Sequence, residues 1–438
     1  MATFKRKRVV IVGAGFGGLS AALAFSRSPV EVLLLDRNNY HFFSPLLHQV
    51  ATAELEPELI AYPIRRILRK RPNIQFIATD VKQIYLTSQF VEANNNLIPY
   101  DYLILACGST SQFYNVGGAV DNAFSLKNLQ EAVTLRNHIL SCFEQATEEP
   151  DVSRRRQLLT FAVVGGGATG VEFAGSLAEL IHDSLVKDYP TLDFTQVRLV
   201  LFHSGENLLP GMAKHLGLYA KKQLEKIGVE VMLQNKVKQV NEDSVYLDNQ
   251  KILRTSTVVW TAGVRGHYLA QKWGLPTTKN GQVSVTSTLQ LPNYPQVYVV
   301  GDLAAFEQEG KALPMLAQVA MQQGKSVANN IIRQIKGQNL LQIRYRHKGT
   351  LVILGRNAAV AEVGKLTFTG FLAWLLWLYI HAVNLLGYRN RLIVLINWFC
   401  SYFWRQRVAN LIFPEVKLAL RKHSNDDGRE VNRRTPLE

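Results

Sequence analysis

Three glycines near the start of the chain, Gly13, Gly15 and Gly18, have the spacing that dinucleotide binding requires. They follow the apolar run 9–12 and lead through an alanine-rich helical pattern to a second apolar run, 30–35. The first glycine allows a tight turn, the second lets the backbone approach a pyrophosphate, and the third lets helix and strand pack closely. The helix N-terminus adds free N–H groups and the positive end of its dipole. The pattern predicts a dinucleotide site, with an ordinary glycine-rich turn as the alternative.

The residues after this first unit provide an acid and a group of aromatic side chains. Asp36 ends the second apolar run, about 20 residues after the glycines, where a carboxylate accepts hydrogen bonds from a ribose. The segment 39–64 then holds Tyr40, Phe42 and Phe43, and its prolines forbid one long helix. This segment is either a wall around a flavin ring or a loop and helix that covers the core.

A second unit of the same kind occurs later in the chain. Gly165, Gly167 and Gly170 follow the strand-like run 159–164 and open a helical pattern. Two complete units imply that two dinucleotides bind at the same time. Glu172 follows in the first turn of that helix, beside the nucleotide. It is a candidate catalytic residue, and the alternative is that it only complements the helix dipole.

The second unit lacks an acid at the place that Asp36 occupies in the first. His203 stands at the end of the strand-like run 197–202, where the ribose carboxylate is expected. A neutral or cationic side chain does not repel a 2′-phosphate as a carboxylate does. Glu206 in the following loop is an alternative partner for the ribose. The sequence therefore leaves NADH and NADPH both open as the co-substrate.

Two further sets of polar residues follow apolar runs near residue 300. The strand-like segment 297–302 runs into a Gly-Asp pair, and its last residue, Asp302, either binds ribityl or pyrophosphate hydroxyls of a flavin or caps a helix. The helical pattern 316–330 then carries amides, of which Gln318 and Gln322 are candidates for hydrogen bonding a carbonyl substrate. The alternative is that these amides lie on a solvated helix face.

The C-terminal part of the chain contains two segments without charged residues, 366–388 and 392–404, with many aromatic side chains and flanking arginines. The first is long enough to span a bilayer, at roughly 20 residues. Interfacial aromatic residues and basic flanks favour helices that lie on a membrane with anionic lipids. Spanning, and burial in a core or a dimer face, are the alternatives. The polar residues 424–438 are predicted to be disordered.

Composition narrows the class of protein. A chain of 438 residues with 47% apolar residues is expected to form two or three domains. The net charge of +15 suits anionic lipids or cofactors, and no basic run with interleaved aromatic residues indicates nucleic acid. The three cysteines form no CxxC pair and fit a reducing compartment. No metal site is predicted.

Taken together, these motifs resemble those of two-dinucleotide-binding flavoproteins, and among them the type II NADH dehydrogenases, or alternative NADH:quinone oxidoreductases. The similarity extends over about residues 8–420. Its most specific parts are HFFSPLL and AQVAMQQG, supported by VVIVGAGFGGLSAA, VVGGGATGVEF, VVWTAGV, VYVVGD and GYRNRLIVLINW. The disulfide reductases of the same superfamily need a redox-active cysteine pair, which this sequence lacks.

This resemblance implies an α/β fold with two Rossmann-like domains and a C-terminal membrane-associating helical region. It implies FAD in the first unit and a nicotinamide nucleotide in the second. The expected domains are an FAD-binding domain at 1–115 and 287–350, an NAD(P)H-binding domain at 116–286 and a C-terminal region at 351–423. The FAD-binding residues carried over are Gly13, Gly15, Gly18, Asp36 and Asp302.

The resemblance also implies the reaction and its surroundings. Hydride passes from the nicotinamide to FAD, and the reduced flavin then reduces a membrane quinone without proton pumping. Gly165, Gly167, Gly170 and Glu172 line the nicotinamide site, and Gln318 and Gln322 lie on the quinone-site helix. A homodimer is expected, peripherally bound to the cytoplasmic face of a cell membrane, or to a thylakoid in a phototrophic host. His203 departs from the pattern, and Cys107 replaces a usual threonine. An NADPH-dependent naphthoquinone reductase and a redox-sensing flavoprotein remain alternatives.

Overall fold

The structure, a computed structural model, describes residues 6–405, 407 and 409–412. Its first sheet has six strands and holds the first glycine turn at the end of its central strand. The strands lie in the order Gln290–Leu291, Tyr294–Val299, Tyr102–Leu105, Arg8–Val12, Glu31–Asp36 and Ile74–Ala78. All neighbours are parallel except the first pair. The central strand is almost entirely buried because apolar side chains point to both faces.

The second sheet repeats this plan with five parallel strands. Their order is Phe124–Ser125, Thr257–Trp260, Thr160–Val164, Arg198–His203 and Val229–Leu233. The strand that precedes the second glycine turn is buried at every position. Each sheet therefore places a glycine turn at the carboxyl end of an inner strand, which is where open parallel sheets bind nucleotides. The predicted α/β fold is confirmed.

Helices cover both sheets. The longer ones are Phe16–Ala24, Leu129–Glu148, Ala168–Glu179, Lys214–Lys226 and Ala317–Ile335, and the shorter ones are Leu47–Ala51, Pro57–Ile60, Ile64–Leu68, Ala119–Asn122, Val152–Leu158, Val186–Asp188 and Leu269–Lys272. The segment Leu180–Leu185 continues the Ala168–Glu179 helix as a π-helix. The Phe16–Ala24 and Ala317–Ile335 helices touch directly, since a Cβ on Gly324 would lie 2.2 Å from the carbonyl oxygen of Gly17.

Smaller strands form hairpins and edges around the two sheets. They are Tyr40–Phe42 with Ala61–Pro63; Val81–Tyr85, Phe90–Ala93 and Asn96–Pro99; Ser109–Ser111 with Val264–Gly266; Val237–Val240, Ser244–Leu247 and Ile252–Arg254; Val283–Ser284 with Ala304–Ala305; and Glu307–Gln308 with Lys311–Ala312. Among them, Ser109–Ser111 follows a strand of the first sheet and pairs with Val264–Gly266, which follows a strand of the second sheet. This pair therefore connects the two sheets.

The C-terminal region is an antiparallel sheet followed by two helices. The strands are Thr350–Gly355, Ala358–Val363 and Leu366–Thr369, and the helices are Gly370–Asn384 and Tyr388–Trp404. Over the described residues, neither helix, nor any other, has both the length and the hydropathy needed to cross a membrane. The tail predicted to be disordered, 424–438, lies outside the described residues.

Candidate active site

The first glycine turn has the geometry of a pyrophosphate cradle. Gly13 has a φ of +103°, and a Cβ there would lie 2.4 Å from the carbonyl oxygen of Ala106. A Cβ on Gly18 would lie only 1.8 Å from the Gly13 carbonyl oxygen, so helix and strand meet as the sequence predicts. Gly15 faces open space, with no atom within 4 Å of the place a Cβ would take. A phosphate can therefore approach the backbone at that point, and the residues fit a dinucleotide such as FAD.

Asp36 is held next to this turn. One carboxylate oxygen accepts a hydrogen bond from the Ala14 N–H at 2.6 Å, and the other accepts one from the Asn38 N–H at 2.8 Å. Burial raises the pKa of Asp36, and these two backbone bonds oppose that rise. Each oxygen retains a lone pair for a ribose hydroxyl. The carboxylate is therefore oriented for the role that the sequence assigns to it.

Asp302 follows the strand Tyr294–Val299 of the first sheet, two strands away from the strand that leads into the first glycine turn. It does not cap the short helix Gly301–Leu303, because Val300 occupies the cap position. Its carboxylate accepts a hydrogen bond from the Ser109 hydroxyl at 2.5 Å, and the Lys127 ammonium lies 4.0 Å from the same oxygen. The Gln323 amide oxygen accepts the Gly301 N–H at 2.7 Å and fixes the turn. Asp302 is thus a positioned, partly exposed carboxylate.

The second glycine turn repeats the cradle of the first. Gly165 has a φ of +122°, and a Cβ on Gly170 would lie 1.9 Å from its carbonyl oxygen. Gly167 faces open space. His203 packs against this turn, and its Nδ1 accepts a hydrogen bond from the Gly166 N–H at 3.2 Å. A ring nitrogen that accepts this bond carries no proton, and burial lowers the pKa of His203, so the ring is neutral at physiological pH.

A cavity of about 370 Å³ opens beside His203. Glu206 and Lys214 both line it and are both exposed. Glu206 offers the carboxylate that a ribose diol prefers, and Lys214 offers the cation that a 2′-phosphate prefers. The cavity therefore contains one side chain suited to NADH, Glu206, and one suited to NADPH, Lys214.

Glu172 points away from the glycine turn and into the C-terminal region. One carboxyl oxygen faces the indole N–H of Trp377 at 3.3 Å and the Ile353 N–H at 3.4 Å. The other lies 3.9 Å from Nδ1 of His48. Burial raises the pKa of Glu172 to about 8, despite these two hydrogen bonds. The carboxyl is consequently protonated at neutral pH, as a proton donor requires.

The two histidines near Glu172 are neutral. Burial lowers the pKa of His48 to about 3, and the nearby His381 and Arg407 lower it further in the same direction. Burial also lowers the pKa of His381 to about 4. Since neither imidazole is charged at neutral pH, neither stabilises an ionised Glu172.

A line of aromatic contacts connects the two glycine-turn helices. The Phe16 ring meets Phe43 with ring centroids 6.0 Å apart, and Phe43 meets His381 at 6.0 Å. His381 stacks on Trp377 at 3.9 Å, and Trp377 reaches Glu172. The aromatic segment after Asp36 therefore both covers the core and extends the first site towards the C-terminal helices.

Gln318 and Gln322 bind the chain that precedes the C-terminal sheet. Gln318 bonds to the Lys348 N–H and the Gly349 carbonyl, both at 3.0 Å. Gln322 bonds to the N–H and the carbonyl of Arg346, at 3.0 and 2.9 Å. Neither amide is merely solvated, since both hold the segment 346–349. Among the described residues, each side-chain amide donates one hydrogen bond, which leaves its second N–H for a further acceptor.

The outer side of the two C-terminal helices is apolar and exposed. We call this surface the apolar face; its residues are Phe371, Leu372, Leu375, Tyr379, Val383, Tyr388, Leu392, Leu395, Ile396, Phe399, Phe403 and Trp404, of which each is at least 43% exposed. The opposite side carries Trp377 and Trp398, which belong to the core. A continuous exposed apolar surface of this kind indicates contact with a membrane or a partner protein.

The fold and the two glycine-turn sites define an α/β oxidoreductase that binds two dinucleotides. The family profile of the pyridine nucleotide-disulphide oxidoreductases matches residues 7–324, and that of the NDH2 C-terminal domain matches residues 347–406. The chain is 37% identical over 418 residues to the type II NADH:quinone oxidoreductase Ndh of Mycobacterium tuberculosis, covering 92% of this chain and 89% of that protein. It is 32% identical over 369 residues to the Staphylococcus aureus type II NADH:quinone oxidoreductase, covering 82% and 90%.

A solved structure shows the same fold. NDH2 from Plasmodium falciparum in complex with NADH matches with a TM-score of 0.84 at 20% identity, covering 92% of this chain and 99% of that one. The chain belongs to the pyridine nucleotide-disulphide oxidoreductase family and, within it, to the type II NADH:quinone oxidoreductases. The resemblance identified from the sequence motifs is confirmed. FAD and a pyridine nucleotide are the cofactors of this flavoprotein family.

Several residues of the site carry no sequence signal of their own. Lys127 and Gln323 fix the Asp302 turn, and Trp377 and His48 surround Glu172. Arg407 is buried against Glu54 and Glu179 although the sequence places it in a basic flank. Two hints were present in the sequence: the block HFFSPLLHQ contains Phe43 and His48, and the block AQVAMQQG contains Gln323.

Proposed function

We propose that the protein oxidises NADH and reduces a quinone at a membrane surface, with FAD as its bound cofactor. When bound, FAD supplies the two-electron redox chemistry that the side chains of the chain lack. The glycine turns at Gly13 and Gly165 hold the two dinucleotides, and Asp36 and Asp302 orient FAD from opposite sides. The helix that carries Gln318 and Gln322 is proposed to position the quinone carbonyls.

The observation that carries the proposal is the line of aromatic contacts from Phe16 to Glu172. This line runs through His381 and Trp377, on the inner side of a helix whose outer side belongs to the apolar face. A lipid-soluble quinone can therefore approach along the apolar face and reach the region between the two nucleotide sites. Glu172, which is protonated at neutral pH, lies at the end of that approach.

We also propose that the apolar face attaches the protein peripherally to the membrane. Side chains exposed to this extent are costly in water, at about 25 cal/mol for each Å² of apolar surface. The flanking Arg389 and Arg391 add positive charge next to that face, which suits anionic lipid headgroups. A homodimer and the absence of proton pumping remain parts of the proposal, to be tested by light scattering and by a pH-sensitive dye in proteoliposomes.

NADH is the proposed co-substrate. The neutral His203 ring is committed to the Gly166 N–H and offers no charge to a 2′-phosphate. Glu206 is the acid at the same cavity, and it can accept hydrogen bonds from both ribose hydroxyls. The proposed preference for NADH therefore rests on Glu206, with Lys214 as the residue that works against it.

Steady-state kinetics test the proposed reaction and separate it from its alternatives. Purified protein with added FAD is assayed with NADH and NADPH against ubiquinone, plastoquinone and menaquinone analogues. Sustained turnover with NADH supports the proposal. A strong preference for NADPH with naphthoquinones favours the specialised reductase, and flavin reduction without turnover favours a redox sensor.

A further inference from the structure

The segment 59–79, which includes the outer strand Ile74–Ala78 of the first sheet, is strongly basic. It contains no acidic residue and five basic ones, Arg65, Arg66, Arg69, Lys70 and Arg71. All but Arg71 are exposed, and none of the five forms an ion pair with a described residue. We call the four exposed residues, Arg65, Arg66, Arg69 and Lys70, the basic rim. Like charges at helical spacing repel one another, and a bound anion would remove that cost.

The fold turns these side chains towards solvent. In the short helix Ile64–Leu68, the first and last residues are buried in the core of the first sheet. Residues at this spacing lie on one face of a helix, so the arginines between them project outwards. The Arg65 guanidinium lies 5.3 Å from the centre of the Phe76 ring, which holds it at the surface. The basic rim is therefore carried on regular structure.

The two C-terminal helices contact the chain immediately before the basic rim. The amide nitrogen of the Asn390 side chain lies 3.0, 3.0 and 3.3 Å from three backbone carbonyl oxygens of the segment 58–61. Gly387 lies in the turn between the two helices, and a Cβ there would be 2.5 Å from the Tyr62 ring. The turn between the C-terminal helices therefore packs on the strand Ala61–Pro63, which leads directly into the basic rim.

The distances place the basic rim next to this turn. Arg65 follows Tyr62 by three residues, a span of at most about 11 Å of extended chain. A helix rises about 1.5 Å per residue, so Lys70 is only about 8 Å further along. Both distances are comparable with the Debye length, about 8–10 Å at physiological salt. The basic rim and the turn between the C-terminal helices therefore act on the same part of any surface that the protein touches.

This end of the molecule also carries part of the apolar face. Tyr388 follows Gly387 and is 89% exposed, and Arg389 beside it is exposed as well. The segment 366–404 contains no acidic residue. A face that lies at the boundary between headgroups and acyl chains brings adjoining cations to the level of the headgroups. The charges of the basic rim therefore suit a membrane with anionic phospholipids, whose surface potential attracts them.

We propose that the basic rim binds the phosphate groups of anionic phospholipids when the apolar face lies on the membrane. The inference rests on the proposed peripheral attachment, and it adds a second point of contact from the N-terminal part of the chain. Arginine suits this role because its planar guanidinium donates two parallel N–H bonds to phosphate oxygens. Two points of contact fix the rotation of the protein about the apolar face, which one hydrophobic contact leaves free.

Binding to vesicles of two compositions tests the basic rim. The full-length protein, saturated with FAD, is titrated with vesicles of equal parts phosphatidylglycerol and phosphatidylcholine, and with vesicles of phosphatidylcholine alone. Arg66→Gln with Arg69→Gln and Lys70→Gln removes three charges and keeps Arg65 on Phe76. We expect this variant to bind the mixed vesicles roughly a hundredfold more weakly, equivalent to about 2.8 kcal/mol. Binding to phosphatidylcholine alone should be unchanged.

Lys236→Gln with Lys238→Gln and Lys251→Gln is the matched control. It removes the same charge from exposed lysines on the hairpins that pack against residues 117–122. The control should weaken binding to the mixed vesicles by less than about threefold, because charges more than a Debye length from the membrane are screened. Flavin reduction by NADH should be unchanged in both triple variants, which shows that both are folded.

Equal binding of the wild type and the rim variant to the mixed vesicles would overturn the proposal. An equal loss in the lysine control would overturn it too, since only net charge would then matter. Unchanged vesicle binding with lost binding to RNA would make the basic rim a nucleic-acid site instead. A failure of the apolar face is seen separately, as weak binding of the wild type to phosphatidylcholine alone, and a failure of quinone reduction affects neither titration.

Discussion

Replacing Glu172 with glutamine should remove a specific part of the pH dependence of stability. Burial raises the pKa of Glu172 from 4.5 to about 8 in the folded protein. Between these two values the folded state binds a proton that the unfolded state has released. Because the folded state binds more protons there, the wild-type free energy of unfolding falls as the pH rises from 4.5 to 8. Glutamine is nearly isosteric with the protonated carboxyl and cannot ionise.

The size of this effect follows from the shift in pKa. One pKa unit corresponds to about 1.4 kcal/mol, so between pH 5 and pH 8 the wild type should lose about 3–4 kcal/mol relative to Glu172→Gln. His48 and His381 have lowered pKa values and contribute in the opposite direction, since burying them neutral costs stability as the pH falls. They are present in both proteins, so the difference between the two curves isolates Glu172.

Urea unfolding of both proteins, saturated with FAD and held in the same detergent, gives the required curves at pH 5, 6, 7 and 8. Glu242→Gln is the matched control, because Glu242 is exposed and makes no ion pair with any described residue. This control should run parallel to the wild type. If Glu172→Gln also runs parallel to the wild type, then Glu172 ionises with an ordinary pKa and the proposed donor role is wrong.

Three further expectations address the acceptor, the membrane and the nucleotide. Gln318→Ala should slow flavin reoxidation by quinone more than flavin reduction by NADH, because it releases Lys348 and Gly349 from the helix. Gln334→Ala on the same helix should change neither rate, and slowed reduction by NADH in Gln318→Ala would place this helix on the donor side. Leu375→Gln with Phe399→Gln should weaken binding to anionic vesicles roughly thirtyfold, by about 1 kcal/mol for each side chain. The same loss in Leu97→Gln, which changes an exposed leucine far from the apolar face, would contradict that assignment. Glu206→Gln should lower the NADH-to-NADPH ratio of kcat/KM by roughly tenfold to a hundredfold, about 1–3 kcal/mol, and His203→Glu should raise the ratio. An unchanged ratio in Glu206→Gln would show that Glu206 does not bind the ribose.

The two nucleotide units were predictable from sequence because their residues are local. A glycine turn needs its strand, its three glycines and its helix within one short stretch, and the structure places Gly13 and Gly165 at the ends of inner strands as expected. Asp36 and Asp302 follow from the same logic, since Asp36 ends a buried strand and Asp302 comes three residues after the end of another. These elements depend on neighbouring residues, which a sequence displays directly.

The surroundings of Glu172 were not predictable in the same way. Its partners His48, Ile353 and Trp377 come from distant parts of the chain, and only the packing of the C-terminal region against the N-terminal half brings them together. His203 shows the same limit, because the sequence could not show that its ring accepts the Gly166 N–H. The amides Gln318 and Gln322 were correctly placed on a helix, but their backbone partners could not be foreseen.

The central claim is that this chain carries electrons from NADH through bound FAD to a quinone. Anaerobic stopped-flow spectroscopy of the flavin absorbance tests it in one experiment with two mixing steps. We expect NADH to bleach the flavin band, and a ubiquinone or menaquinone analogue to restore it within a turnover time. A flavin band that NADH leaves unchanged, or a reduced flavin that no quinone reoxidises, would contradict the account.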